Sequence, residues 1–139
     1  MTGYIYIDGK KVGVIASAAT PLFYNTVFKG ENYLAQVQGL KVEDETGTVS
    51  AAVIDENYDF LCKAAYIMIC QHAAQSDREL MRSLSYDGYL SWLEGLSTLA
   101  IYRAMPGILN ALFSNMKTGS IPKKKRGRRK GNTRAAYTS

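Results

Sequence analysis

Histidine, cysteine and proline are scarce in this sequence of 139 residues, which contains one, two and three of them respectively. The single histidine, His72, cannot build a metal site without partner ligands, and Cys70 does not share its helical face cleanly. A catalytic cysteine needs a histidine beside it, and the stretch from Gly9 to Gly13 has neither dinucleotide-binding nor phosphate-loop spacing. We therefore expect no enzymatic activity, no metal and no cofactor.

Long apolar runs are also missing. The most apolar run, over 60–70, is far shorter than the roughly 20 residues that span a bilayer. The N-terminal residues MTGYIYIDGK lack the basic start and apolar core of a secretion signal. Cys62 and Cys70 lie on one predicted helix about 12 Å apart, whereas a disulfide needs Cα atoms within about 7 Å. We expect a cytoplasmic protein with free thiols and no membrane contact.

Positive charge is concentrated at the C-terminal end, where eight basic residues and no acidic residue follow position 122. They are Lys123, Lys124, Lys125, Arg126, Arg128, Arg129, Lys130 and Arg134. The rest of the chain holds nine basic residues (17 less these eight) against 12 acidic ones. A highly charged segment with few apolar residues cannot bury enough surface to fold. We predict a domain over 1–118 and a disordered basic tail over 119–139.

Two short runs of β-forming residues, 4–7 and 11–15, flank Asp8 and Gly9 near the N-terminus. Asp-Gly between such runs is a strong signal for a two-residue hairpin turn. An isolated hairpin is marginal in water. We therefore expect the apolar face of this hairpin to rest on helices.

The central helix is predicted over 50–75, because Val53, Phe60 and Ile67 fall at helical spacing. Asp59 stands four residues before Lys63, which favours an ion pair on that helix. Further helices are predicted over 21–29, 31–40, 78–84, 86–94, 97–105 and 108–116, with Pro106 ending or kinking the chain between the last two. Residues 41–48 indicate an exposed acidic loop. The predicted fold is mainly α (α+β), an N-terminal β-hairpin packed on a bundle of four to six helices.

The start of the first helix carries the most specific motif. Thr20 suits the N-cap and Pro21 the first helical position. The run from Ala19 to Tyr24, ATPLFY, followed by Phe28, resembles the tail assembly chaperones of long-tailed bacteriophages that infect Gram-positive bacteria.

The resemblance covers residues 4–31 and, more loosely, 58–69 and 86–96. In that family a glycine directly follows the phenylalanine. Here Lys29 intervenes before Gly30, and the acidic residue usual after the glycine corresponds to Glu31.

The resemblance implies a non-enzymatic role, in which the protein coats the helical tape-measure protein, keeps it soluble and helps tail-tube protein polymerise around it. It also implies a homo-oligomer, absence from the mature virion, and a longer product of a programmed frameshift, with the codons of Lys123 to Lys125 as a candidate slippage site. The residues expected to carry self-association or client binding, with the hairpin, are Thr20, Pro21, Phe23, Tyr24 and Phe28. Alanine at Tyr24 and Phe28 should then weaken assembly and leave the fold helical.

The basic tail supports an alternative, a small nucleic-acid-associated protein that binds phosphates through charge. The tail has no interleaved aromatic residue for base stacking, so sequence-specific reading of single strands is not expected. The same charges also suit an acidic protein surface or a solubilising extension, and a structural component of the phage particle is a third candidate. A chaperone should retain its client after truncation at Thr118, whereas a charge-driven binder should lose its ligand.

Overall fold

The computed structural model describes residues 2–40 and 51–116. The predicted acidic loop over 41–48 and the predicted tail over 119–139 lie outside these residues. The elements are β1 Thr2–Ile7, β2 Lys10–Ile15, α1 Thr20–Val27, α2 Tyr33–Gln38, α3 Ala51–Glu56, α4 Tyr58–Ala73, α5 Glu79–Arg82, α6 Tyr86–Glu94 and α7 Thr98–Met116. The predicted fold class, a mainly helical protein with an N-terminal hairpin, is confirmed.

Strands β1 and β2 form the predicted antiparallel hairpin. Asp8 and Gly9 connect them with φ angles of 54° and 77°, the positive values that a tight two-residue turn requires. Ile5 and Ile7 are buried, whereas Tyr4 and Tyr6 are 57% and 62% exposed. The alternation places the apolar side chains of β1 on the face that meets the helices.

Two helices support the hairpin, since β1 packs against α7 and β2 packs against α4. The contact with α7 is close at Gly107, where an added Cβ would lie 3.5 Å from Cγ2 of Ile5. The first strand of the fold therefore rests on the last helix that the structure describes.

The central helical segment is two helices rather than one, because α3 ends at Glu56 and α4 begins at Tyr58. The amide nitrogen Nδ2 of Asn57 donates to the carbonyl of Val53 at 2.9 Å, an interaction by which asparagine competes with regular helix hydrogen bonding. Pro106, by contrast, lies inside α7 and does not end it. The described residues thus form seven helices, one more than the upper end of the predicted range.

Gly13 marks a close approach of β2 to α4. A Cβ at this position would lie 2.4 Å from the ring of His72, a separation at which atoms must move. These ring atoms form the far end of a half-buried side chain that can turn aside, so Gly13→Ala is expected to lower the free energy of unfolding by only about 1 kcal/mol, the order of the cost of a displaced rotamer. Urea unfolding followed by circular dichroism measures this loss.

Gly3→Ala is the matched control for Gly13→Ala. Its Cβ would meet Cγ2 of Val14 at 3.9 Å, an ordinary van der Waals contact. Adding His72→Ala to Gly13→Ala should recover part of the loss, because the clashing ring is then removed. Equal stability of the two single alanine variants would contradict the predicted clash.

Candidate protein-binding groove

A buried polar network fixes the start of α1 to α4. The helix begins at Thr20 with Ala19 at the N-cap, so the predicted Thr20 cap is wrong by one residue. The hydroxyl of Thr20 donates to Oε1 of Gln71 at 2.6 Å and accepts from the backbone N–H of Ser17 at 2.9 Å. Nε2 of Gln71 donates to Oγ of Ser17 at 3.3 Å. Because buried polar groups need partners, this network determines where α1 meets α4.

A groove of about 570 Å³ lies next to this junction. It is lined by Ile15, Phe23, Gln71, Ala74, Gln75, Arg78, Met81 and Arg82. Ile15 belongs to β2, Phe23 to α1 and Met81 to α5, and Ala74 is the C-cap of α4, so the apolar lining comes from four parts of the chain. Four of the eight lining residues are apolar and four are polar or charged, so the cleft combines apolar surface with hydrogen-bonding groups, as binding sites do.

The charged side chains that line the groove are the arginines Arg78 and Arg82. Nη1 of Arg82 lies 3.0 Å from Oε1 of Glu79 in a largely exposed ion pair, which contributes little to stability. Arg78 has no salt-bridge partner within residues 2–40 and 51–116. The groove therefore presents positive charge beside apolar surface.

Tyr24 and Phe28 occupy the core, which corrects the expectation that they form part of a binding surface. Their side chains are 0% and 3% exposed, and their ring centroids are 4.9 Å apart. The ring of Tyr24 also contacts Phe60 at 5.6 Å, and that of Phe28 contacts Tyr89 at 5.1 Å. These contacts hold α1 against α4 and α6. Neither side chain can touch a partner while the protein keeps this packing.

An ionic cluster adjoins these aromatic rings. Nζ of Lys63, which is only 7% exposed, lies 2.6 Å from Oε2 of Glu31 and 2.8 Å from Oδ2 of Asp59. The phenol of Tyr24 donates to Oε1 of Glu31 at 2.7 Å. The predicted pair between Asp59 and Lys63 is confirmed, and Glu31 joins it from outside the helix.

The pKa shifts in this cluster favour the charged forms of both Glu31 and Lys63. Burial acts to raise the pKa of Glu31, but hydrogen bonds from Lys63 and Tyr24 outweigh it, and the net shift is downward. Burial acts to lower the pKa of Lys63, but its bonds to Asp59 and Glu31 outweigh it, and the net shift is upward. Each of these two partners therefore stabilises the charged form of the other, as expected for an ion pair.

Within the described ranges, no group of three histidine, cysteine, aspartate or glutamate side chains could hold a metal ion. Cys62 and Cys70 are free thiols, and burial raises the pKa of Cys62 to about 11. None of the helices in those ranges is both long and apolar enough to cross a membrane.

Of the five residues expected to carry assembly, Phe23 lines the groove, and Thr20 bonds to Gln71, another lining residue. Pro21 stands in the first turn of α1 and does not line the groove. Tyr24 and Phe28 do not reach it, and the eight basic tail residues lie outside the described part of the chain. Arg78 and Met81 had no sequence signal as binding residues, because only the folded chain brings α5 beside α1. Comparisons with protein-family models, curated proteins and solved structures found no match.

Proposed function

We propose that this protein is a tail assembly chaperone of a long-tailed bacteriophage and is not an enzyme. In this role it binds the helical tape-measure protein, keeps it soluble and promotes polymerisation of the tail-tube protein around it. The observation that carries the proposal is the groove, whose lining includes Phe23. Phe23 belongs to the run ATPLFY through which the sequence resembles these chaperones.

The shape and chemistry of the groove suit a helical client. An amphipathic helix binds by placing its apolar face into a groove of apolar side chains, here Ile15, Phe23 and Met81. A long client offers many such faces, so several copies of a small protein can cover it with individually weak contacts. Retention of the client thus depends on the summed contacts of many copies.

Self-association is assigned to the hairpin in this proposal. A two-stranded sheet offers unpaired backbone groups along its edges, which can accept a strand from another molecule. Tyr4 and Tyr6 add exposed rings of a residue type that is enriched at interfaces. In this proposal the second molecule pairs along β1, because Ile15 of β2 lines the groove and pairing along β2 would compete with the client.

The proposal places the protein in the cytoplasm of the bacterial host during assembly and outside the mature virion. A longer form made by frameshifting over the codons of Lys123 to Lys125 would share every residue of the described domain, which ends at Met116. A coding sequence with no slippery run there or nearby would contradict the frameshift.

Co-expression with the tape-measure protein of the same phage tests the groove. Wild-type protein should keep the client in the soluble fraction, and Met81→Asp should reduce the soluble client about tenfold or more. The reason is that a carboxylate would be placed among apolar contacts, and each 1.4 kcal/mol of lost affinity is tenfold in binding. Quantification of both proteins in the soluble fraction and in pull-downs measures the effect.

Leu34→Asp is the matched control, since Leu34 is an exposed leucine on α2 that does not line the groove. It should keep the client as soluble as the wild type does, and circular dichroism should show that both variants are folded. Equal solubilisation by the two variants would exclude the groove as the binding site. A client that stays insoluble with wild-type protein would exclude the chaperone function.

The eight basic residues after position 122 favour nucleic-acid binding as a second candidate function. Replacing all eight with glutamine in the full-length chain separates the two functions. A charge-driven binder should lose its affinity for duplex DNA, whereas a chaperone should still solubilise the tape-measure protein. Filter binding and the co-expression assay measure the two outcomes on the same variant.

A further inference from the structure

The groove carries charge of a single sign. Its lining includes two arginines and no carboxylate. Arg82 is engaged by Glu79, whereas Arg78 forms no salt bridge with any other described residue. A partner that brought a carboxylate to this site would give Arg78 its counterion.

From this arrangement we propose that the groove selects amphipathic helices whose apolar stripe is bordered by carboxylates. Arg78 is the residue that forms ion pairs with these carboxylates. The inference rests on the proposed function, because it specifies which client helices the same groove takes. It adds a preference for acidic over basic or neutral helices, which apolar contacts alone would not give.

The two arginines are spaced to meet such a partner once its second carboxylate displaces Glu79 from Arg82. Arg78 is the N-cap of α5 and Arg82 is its last residue, so they are separated by about one helical turn. Carboxylates at positions i and i+4 of a client helix are separated by the same rise. Phe23 and Met81 line the groove with the arginines and can receive the apolar residues of the client. Exposed charges of this kind give selectivity more than affinity.

The sign of the charge also argues against two other occupants. The basic C-terminal segment of the chain itself would be repelled by Arg78 and Arg82. A nucleic-acid backbone would be attracted, but its phosphates would gain nothing from Phe23 or Met81, whose burial favours an apolar ligand. An acidic amphipathic helix can contact Phe23 and Met81 through its apolar stripe and Arg78 through its carboxylates.

Three synthetic helical peptides with the same apolar stripe, bordered by glutamate, glutamine or lysine, test the preference against the full-length protein. We expect affinity to fall in that order, by about tenfold from the glutamate to the lysine peptide. Arg78→Glu should weaken the glutamate peptide by about tenfold and strengthen the lysine peptide, because the charges are exchanged. Fluorescence anisotropy of labelled peptides measures all of these affinities.

Arg103→Glu is the matched control, because Arg103 is an exposed arginine on α7 that does not line the groove. It makes the same change in net charge and keeps the basic tail, whose general attraction for acidic peptides is thereby held constant. This variant should leave each affinity within about twofold of the wild-type value.

Equal affinities for the three peptides, or equal effects of Arg78→Glu and Arg103→Glu, would overturn the charge preference and leave the chaperone function standing. Loss of binding of the glutamine peptide on Met81→Asp would support the groove as the site of the apolar contact. Displacement of the glutamate peptide by duplex DNA from wild-type protein but not from Arg78→Glu would overturn the preference in favour of phosphate binding.

Discussion

Phe28→Ala is expected to destabilise the protein by about 3–5 kcal/mol, the cost of removing a phenyl ring from a close-packed core. The ring is 3% exposed and contacts Tyr24 and Tyr89 at centroid distances of 4.9 and 5.1 Å. Domains of this size are stable by only about 5–15 kcal/mol, so the melting temperature should fall by on the order of 10 °C or more. Thermal unfolding followed by circular dichroism measures the loss.

Leu22→Ala is the control for Phe28→Ala on the same helix. Leu22 is 68% exposed, and a surface substitution of this kind usually changes stability by less than about 0.5 kcal/mol. A Phe28→Ala protein as stable as Leu22→Ala would show that the ring acts outside the core. The predicted loss means that weakened assembly of Phe28→Ala would reflect unfolding, and cannot by itself identify a binding residue.

Lys63→Met is the second change with a large expected effect, a loss of about 3 kcal/mol, at the lower end of the range for breaking a buried ion pair. Methionine preserves much of the apolar stem but removes the charge that Glu31 and Asp59 share at 2.6 and 2.8 Å. Glu31 would keep its bond from Tyr24, and its side chain is 28% exposed, so part of the cost is offset by water. Urea unfolding at neutral pH measures the loss.

The pH dependence of Lys63→Met identifies the ion pair as the cause. Because the pKa of Glu31 is lowered from its ordinary 4.5 in the folded state, its contribution is present above that pH and is lost as the pH falls through the lower folded value. The difference in free energy of unfolding between wild type and Lys63→Met should therefore become smaller in acid. Glu31→Gln combined with Lys63→Met should cost less than the two single changes added together. If this difference in free energy stayed constant with pH, the loss in Lys63→Met would come from packing and not from the ion pair.

Features decided by a few neighbouring residues could be predicted from the sequence. Asp8 and Gly9 can adopt the positive φ angles of a hairpin turn, so that turn was predictable. Ser85 immediately precedes the helix predicted over 86–94, and its Oγ accepts from the N–H of Gly88 at 3.0 Å, the bond by which serine commonly caps a helix. In both cases the interacting atoms are three residues apart or fewer, and no distant part of the chain decides the outcome.

Contacts between distant residues could not be predicted in this way. Periodicity places Lys63 on a helix with Asp59, but nothing local brings Glu31 to the same nitrogen. Tyr24 is of a residue type that is enriched at interfaces, yet packing against Phe60 buries it completely. The groove depends on the same kind of information, since Phe23 and Met81 become neighbours only after α1 and α5 have both packed on α4.

The contact between Ile5 and Gly107 imposes an order on folding during synthesis. The ribosome makes β1 before α7, and the surface of α7 that covers β1 emerges only after the chain has passed Gly107. At usual elongation rates this interval is on the order of 10 s, during which Ile5 and Ile7 have no final cover. The hairpin, marginal by itself, therefore waits for α7 before β1 is covered, and during this interval the nascent chain depends on cellular factors that shield exposed apolar strands.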